Sequence, residues 1–180
     1  MTKLMKVSFS ILISISIIFS TFAINNAINW QIKQGYSIKF AGTSVVGVFE
    51  KINGDIAFDA NNLSTSKMTI NVEVASIATG NWLMNRHAKG ENWFDADKFP
   101  KINFTSSNFS KSVSGFIVNG ILEMHGVKKD IAIPFTFQNN AFNGNFSVNR
   151  TDYGVGDLNG MSKRVSNEIK IVISVPVVKK

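Results

Sequence analysis

The stretch FIVNGILEMHGVKKDIAIPFTF, residues 116–137, alternates apolar and polar side chains on both sides of a short polar break at His125-Gly126. A period of two is typical of β-strands that bury one face and expose the other to water. The buried face would carry Phe116, Val118, Leu122 and Met124, and then Ile131, Ile133, Phe135 and Phe137. The glycine after His125 is a turn signal. The stretch therefore predicts two antiparallel strands joined by a tight turn.

The same alternation recurs along the chain, and helical spacing fits none of these runs. It appears in residues 30–40, 67–74, 101–105, 142–148 and 169–177, while residues 45–58 predict a bent strand or a hairpin. Turns are expected at Asn53, Asn61, His125 and Asn139. About eight strands joined mostly by short turns form an antiparallel meander, which must close or stack into two layers to protect its edges. We predict an all-β fold, a closed antiparallel eight-stranded barrel, in which Pro134 occupies a bulge or an unpaired position.

The first 23 residues are typical of a secretory signal peptide. Lys3 and Lys6 precede an apolar run over residues 7–22, and Thr21 and Ala23 supply the small residues of a cleavage site. The alternative is an N-terminal membrane anchor, although the run is shorter than a span requires and is diluted by serine. We therefore predict a signal peptide at 1–23, one barrel domain at 24–180, and a periplasmic or secreted protein without a stable membrane span after cleavage.

Composition excludes several classes of site and partner. The chain has no cysteine, which excludes disulfides, thiolate metal sites and a thioether lipid anchor. Its net charge of +7 falls to +5 when Lys3 and Lys6 leave with the signal peptide. This mild excess suits a solvated surface or attraction to anionic head groups. No Lys/Arg run exceeds two residues, so nucleic acid is not an expected partner.

Two long connections interrupt the meander, at residues 79–101 and 151–166. Long loops in a compact domain often carry function. Residues 80–97 are expected to form a short helical or coiled excursion across one mouth of the barrel, with an apolar underside made of Trp82, Leu83, Trp93, Phe94 and Phe99. These aromatics either cork the barrel end or form one wall of a ligand tunnel. In the second case Arg86, His87 and Lys89 lie near the mouth, where they could meet a polar or phosphorylated head group.

An ordered set of short motifs resembles the YceI-like family of lipid- and polyisoprenoid-binding proteins. The motifs are YSIKF from Tyr36, VVGVFEKINGDIAFD from Val45, ASIATGN from Ala75, NRHAKGENWFDADKFPKINFTS from Asn85, VNGILEMHGVKKDI from Val118 and RTDYGVG from Arg150. The resemblance implies a lipocalin-like barrel whose interior holds a long apolar chain. Two departures concern polar positions: Ala41-Gly42-Thr43 stands where many relatives carry a histidine, and Asn85-Arg86-His87 where relatives often show Arg-Asp.

The resemblance and the alternation together assign candidate ligand-binding residues. The barrel interior would be lined by Ile38, Phe40, Phe58, Ile70, Val72, Phe104, Phe116, Val118, Leu122, Phe135, Phe137, Phe146, Ile171 and Ile173. The mouth and lid would contribute Trp82, Arg86, His87, Trp93, Phe94 and Arg150. The expected ligand is a polyisoprenoid, an isoprenoid quinone or a fatty amide. The alternative is a structural or adaptor barrel whose packed core leaves no lumen and which acts through its loops. The sequence leaves open whether the chain forms a homodimer.

Catalysis, a metal site and a cofactor are not predicted. The chain has two histidines and no Gly-x-Ser-x-Gly elbow. His87, Glu91 and Asp95 are four residues apart and would share a helical face. Gly90 and Asn92 weaken a helix at that point, and ion-pair ladders produce the same spacing.

Overall fold

The computed structural model describes residues 27–156 and 160–180, so the predicted signal peptide lies outside the described residues. The described chain contains strands and one α-helix, α1. In order they are β1 (Asn29–Ile32), β2 (Ser37–Gly42), β3 (Val45–Phe49), β4 (Ile52–Ala57), β5 (Lys67–Glu73), β6 (Ile77–Ala78), α1 (Trp82–Lys89), β7 (Lys101–Ser112), β8 (Gly115–Met124), β9 (Val127–Gln138), β10 (Ala141–Asn149) and β11 (Glu168–Lys179). Short 3-10 turns cover Leu63–Thr65, Val74–Ser76, Arg150–Tyr153 and Gly160–Arg164.

These eleven strands of the described chain build the eight-stranded antiparallel barrel that the sequence predicts. The count is eleven and not eight because each of the first three rows of the barrel is broken into two short strands. β1 and β2 form one row, β3 and β4 the next, and β5 and β6 the third. One half of each row meets in the order β1–β4–β5, and the remaining halves meet in the order β2–β3–β6. The long β11 closes the barrel by pairing with both halves of the first row, through Ile32–Val177 and Ile38–Ile173.

Tight turns connect the later strands as expected. His125 and Gly126 have φ of 52° and 77°, and Asn139 and Asn140 have 52° and 55°. Positive φ at both central residues is the requirement of the two-residue hairpin turn that matches strand twist. Asn61 also lies in a turn.

The predicted turn at Asn53 is wrong. Asn53 and Gly54 lie inside β4, where they pair with Asn71 and Ile70 of β5. A Cβ on Gly54 would collide with the carbonyl oxygen of Thr69. The glycine therefore marks a close approach of two strands, which is a second common use of glycine in sheets.

Pro134 lies at the point where one ladder of β9 stops. The residue pairs with Ile117 of β8 on one side. On the other side, the pairing of β9 with β10 runs from Gln138 back to Phe135, which pairs with Gly144, and stops there, so that Pro134 is left out of it. Proline lacks a backbone N–H, so its position at the end of a ladder agrees with the expectation of an unpaired site.

One end of the barrel is filled by an aromatic plug, made of Trp30, Phe58, Phe109, Phe116, Phe135, Phe137 and Phe142. Phe58 lies at its centre and is only 1% exposed. Its ring centroid is between 5.2 and 5.9 Å from five other phenylalanine rings. The Trp30 indole N–H donates to the Phe58 carbonyl at 2.9 Å. This end of the barrel is therefore closed by packed rings.

Candidate functional site: an apolar cavity and its mouth

Beyond the aromatic plug, the barrel interior is hollow. A cavity of about 470 Å³ extends to the opposite end, and apolar side chains from β2 through β11 border it. Ligand sites commonly measure about 300–1,000 Å³ and are mostly apolar. The packed-core alternative left open by the sequence therefore does not describe this barrel.

The depth of the cavity follows from β11, whose inward residues Ile169, Ile171, Ile173 and Val175 all border it. Six residue steps cover about 20 Å along a strand. With the strand tilt usual for barrels, this corresponds to about 15 Å along the barrel axis. Half of the hydrocarbon thickness of a bilayer is also about 15 Å. The cavity is thus about as deep as the hydrocarbon of one bilayer leaflet.

Eleven of the fourteen predicted interior residues border the cavity. They are Ile38, Phe40, Ile70, Val72, Phe104, Val118, Leu122, Phe135, Phe146, Ile171 and Ile173. Phe58, Phe116 and Phe137 lie outside the described lining and belong to the aromatic plug, because their strand positions lie at the closed end. The lining also includes residues that were not selected from the sequence, although they share the same alternation: Ile102, Met124, Ile133, Phe142, Val148, Ile169 and Val175.

The open end of the cavity is bordered by four loop elements. They are the β2–β3 turn with Ser44, α1 with Met84, His87 and Ala88, the following segment with Trp93 and Phe94, and the 3-10 turn with Arg164. The Phe94 ring meets Phe49 edge-on at 5.9 Å between centroids. Phe94 therefore narrows the mouth and also borders the cavity.

α1 is held over the mouth by its caps. The Asn81 side-chain oxygen accepts hydrogen bonds from the backbone N–H groups of Leu83 and Met84, at 2.9 and 3.1 Å. The Asn85 side-chain oxygen accepts from both the backbone N–H and the hydroxyl of Thr79, each at 2.7 Å. These bonds set the phase of the helix and direct Met84, His87 and Ala88 toward the cavity.

The same phase directs other predicted residues away from the cavity. Trp82 is 73% exposed and Leu83 is 44% exposed, so the expectation that they form an apolar underside is wrong. Arg86 is exposed as well and lies outside the described lining. The physical reason is helical geometry, since residues 84, 87 and 88 share one face and residues 82, 83 and 86 lie on the others.

Arg150 borders the cavity, but its contacts do not suit the predicted ligand-binding role. The side chain is 3% exposed. Its guanidinium donates to the carbonyl oxygens of Ser166, Val155, Gly156, Ser162 and Val165, at distances from 2.7 to 3.1 Å. A guanidinium has five N–H donors, and these five bonds engage them all. Arg150 therefore shapes the mouth by holding residues 155–156 and 162–166.

The Trp93 ring covers this guanidinium, with 5.2 Å between the Arg150 Cζ and the ring centroid. The contact joins the segment after α1 to Arg150 and the residues that Arg150 holds. Both long connections thus meet at the same end of the barrel.

Arg164 is a mouth residue that the candidate list lacks. It is exposed and borders the cavity, as does His87. The sequence signal was the Lys163-Arg164 pair in a glycine-rich loop, but nothing in the sequence shows that this loop meets α1. His87 and Arg164 therefore both border the open end of the cavity.

The spacing of His87, Glu91 and Asp95 does not produce a shared helical face. α1 ends at Lys89, and Gly90 is extended with ψ of 169°. Within residues 27–156 and 160–180, no three His, Asp or Glu side chains are grouped closely enough to hold a metal ion. Nor does this part of the chain contain a helix long and apolar enough to cross a bilayer.

The comparisons with known proteins agree with this architecture. The sequence pattern of the YceI-like domain matches residues 23–177. The chain belongs to the YceI-like family. A UPF0312 protein of Pseudomonas fluorescens is 30% identical over 136 residues, which cover 66% of this chain and 69% of the relative. One from Photorhabdus laumondii is 28% identical over 100 residues, and the match spans only 52% of that relative.

Solved structures share the YceI-like fold. Burkholderia cenocepacia BcnA superimposes with a TM-score of 0.73 at 24% identity, covering 79% of this chain and 96% of that protein. A polyisoprenoid binding domain from Saccharophagus degradans, implicated in plant cell wall breakdown, gives a TM-score of 0.62 at 10% identity. That match covers 85% of this chain and 99% of the domain. At these identities the likeness concerns the fold alone.

Proposed function

We propose that the protein binds one long apolar chain in the barrel and sequesters or carries it through an aqueous compartment. The observation that carries this proposal is the apolar cavity of about 470 Å³, closed by the aromatic plug at one end and bordered by exposed residues at the other. A polyisoprenoid, an isoprenoid quinone or a fatty amide fits this shape. Membership of the YceI-like family and the fold shared with a polyisoprenoid binding domain support a lipid ligand.

The tail of the ligand accounts for most of the expected affinity. Each buried methylene contributes about 0.8 kcal/mol, so two or three isoprene units provide roughly 8–12 kcal/mol before the entropy cost of binding is subtracted. A partly exposed ion pair with His87 or Arg164 adds about 0–1 kcal/mol. The head group therefore sets the orientation of the ligand, while selectivity among tails of similar length is loose.

The predicted signal peptide at residues 1–23 supports a carrier that works in the periplasm or outside the cell. There the cavity would shield an insoluble chain from water, a role that requires binding and release without chemical change. We accordingly propose a binding protein and assign no catalytic residue.

Lipid extraction tests the proposal directly. The natively purified protein is extracted with organic solvent, and the extract is analysed by mass spectrometry. We expect long-chain lipids in a near-stoichiometric total amount. Repeatedly empty extracts, together with failure to bind an added fluorescent polyene, would refute the proposal.

A matched pair of variants tests the location of the ligand. Leu122→Trp places a larger ring in the cavity, and Phe104→Trp does the same from the paired position on β7. Ile121→Trp adds the same ring to the outer face of β8, where Ile121 is 44% exposed. We expect polyene uptake to fall for the two inward variants and to remain unchanged for Ile121→Trp. Equal uptake by all three folded variants would place the ligand elsewhere.

A further inference from the structure

α1 presents large apolar side chains to solvent beside the mouth of the cavity. Trp82, Leu83 and Met84 are 73%, 44% and 39% exposed, and none of the eight α1 residues, all within the described chain, is buried. Val46, at the same end of the barrel, is 64% exposed. Contiguous exposed apolar side chains indicate an interaction surface.

This exposure is built into the fold. An isolated helix of eight residues is not stable in water. α1 persists because Asn81 caps its first turn and Asn85 ties its middle to Thr79. Polar contacts hold the helix in place while Trp82 and Leu83 remain in solvent.

The charges on α1 suit an anionic surface. Arg86, His87 and Lys89 occupy its last turn, and its first turn carries no acidic residue. The exposed Lys163 and Arg164 lie on the neighbouring mouth element. The nearest acidic residues along the chain, Glu91, Asp95 and Asp97, follow in the next segment, where Asp95 is half-buried. Tryptophan and leucine beside basic residues are typical of segments that lie in the interface of a bilayer.

We propose that α1 docks the barrel on the surface of an anionic phospholipid bilayer. Trp82 and Leu83 insert among the head groups, and Arg86, Lys89 and Arg164 contact anionic lipids. The opposite face of α1, with Met84, His87 and Ala88, borders the cavity, so docking through α1 brings the mouth close to the bilayer. A tail could then enter the cavity without crossing water.

The size of the surface favours a bilayer over a second copy of the chain. Three partly exposed side chains supply roughly 300 Å² of apolar area, since one aromatic ring buries about 150–250 Å². A stable protein interface requires about 800 Å² from each partner. Interfacial insertion needs only a few such side chains when basic residues accompany them.

Vesicle sedimentation tests the docking surface. The full chain is mixed with vesicles of phosphatidylcholine alone or with 30% phosphatidylglycerol (about one lipid in three), and bound protein is measured after centrifugation. We expect the protein to bind the anionic vesicles. This binding should decrease in 0.5 M salt, because the Debye length falls to about 3–5 Å and the attraction between basic residues and anionic lipids is screened. Trp82→Ser with Leu83→Ser should lower the partition constant about tenfold or more. Each of Arg86→Ser and Lys89→Ser should lower it about fivefold.

Controls come from the opposite end of the barrel. Val113 is fully exposed in the β7–β8 turn, and Lys111 lies beside it. Val113→Ser and Lys111→Ser should leave vesicle binding unchanged. All variants share residues 1–26, so any contribution of that apolar segment is common to them and the differences report on α1.

The contrary outcomes are distinct. Equal vesicle binding by wild type and the Trp82/Leu83 variant overturns the proposal. The proposal is also overturned if neither protein binds vesicles and the wild type forms a concentration-dependent dimer that is lost in the Trp82/Leu83 variant. The purpose of docking rests on the proposed lipid-binding function, but the docking itself does not. A polyene added from ethanol should still bind the docking-deficient variant, so failure of that assay for wild type would refute the ligand proposal alone.

Discussion

Replacing Phe58 by alanine tests whether one end of the barrel interior is packed while the other is hollow. Phe58 is 1% exposed and contacts five phenylalanine rings, so its removal opens a void among rings that β-strands hold in place. Buried Phe→Ala changes cost about 3–5 kcal/mol, because the transfer free energy and the cavity penalty add. We expect the upper part of this range, since the surrounding strands cannot collapse inward.

Urea unfolding provides the measurement, and Phe146→Ala provides the control. Phe146 borders the cavity, so one side of its ring already lacks protein contacts. Its removal should cost only about 1–2 kcal/mol in the lipid-free protein. With a slope near 2 kcal/mol per molar urea, Phe58→Ala should lower the unfolding midpoint by about 2–2.5 M. If that variant does not fold, Phe58→Leu should show the same order relative to a Phe146→Leu control.

The result also bears on ligand length. Opening the aromatic plug lengthens the cavity, so Phe58→Ala or Phe58→Leu should accept longer polyprenols than wild type in a competition assay against the fluorescent polyene. Equal unfolding costs for the Phe58 and Phe146 variants, with unchanged chain-length preference, would refute the division into plug and cavity.

Three further predictions concern single side chains. Arg150→Met should lower the free energy of unfolding in urea by about 3 kcal/mol, because it leaves buried carbonyl groups unsatisfied. Arg150→Lys should be destabilised as well, since lysine lacks the planar group that donates to several carbonyls at once. Wild-type stability of Arg150→Lys would contradict the structural role of Arg150. Burial, and secondarily the Asp152 carboxylate, raises the pKa of Tyr153 above 10.0. The unfolded chain therefore loses this proton at lower pH than the folded chain, so the free energy of unfolding should fall as pH rises through 10, and it should fall less in Tyr153→Phe. Identical stability profiles of the two proteins at alkaline pH would contradict the raised pKa. A Cβ on Gly120 would lie 2.8 Å from the Phe104 ring and against the Thr105 carbonyl. Gly120→Ala should cost about 1–3 kcal/mol and weaken polyene uptake, and neutral behaviour in both assays would show that the strands can separate.

The barrel could be predicted from the sequence because the evidence for it is local. Alternation along each strand selects the side chains that share a face, and two-residue turns such as His125-Gly126 set the antiparallel order. Most of the predicted interior residues accordingly border the cavity. The error at Asn53 has a local cause too, since Asn-Gly suits a turn and glycine also permits close approach of two strands.

The mouth depends on contacts that have no local signature. Trp82 is exposed because the hydrogen bonds of Asn81 and Asn85 fix which face of α1 is turned toward the barrel. The sequence does not show that face, since the eight residues of α1 have charged and apolar side chains on several sides. In the sequence, Arg150 is a basic residue beside a glycine-rich loop, which suggests a ligand-binding role. Only the folded chain brings five carbonyl groups around it and makes it a structural residue.

By itself, then, the sequence determined the strand pattern, the closed antiparallel barrel and the set of side chains directed inward. The tertiary structure alone decided that this interior is filled at one end and hollow at the other. The physical reason is that filling depends on how rings from distant strands stack. Phe58 meets rings from β7, β8, β9 and β10, whereas the side chains beyond them, which are mostly aliphatic, leave the middle of the barrel empty.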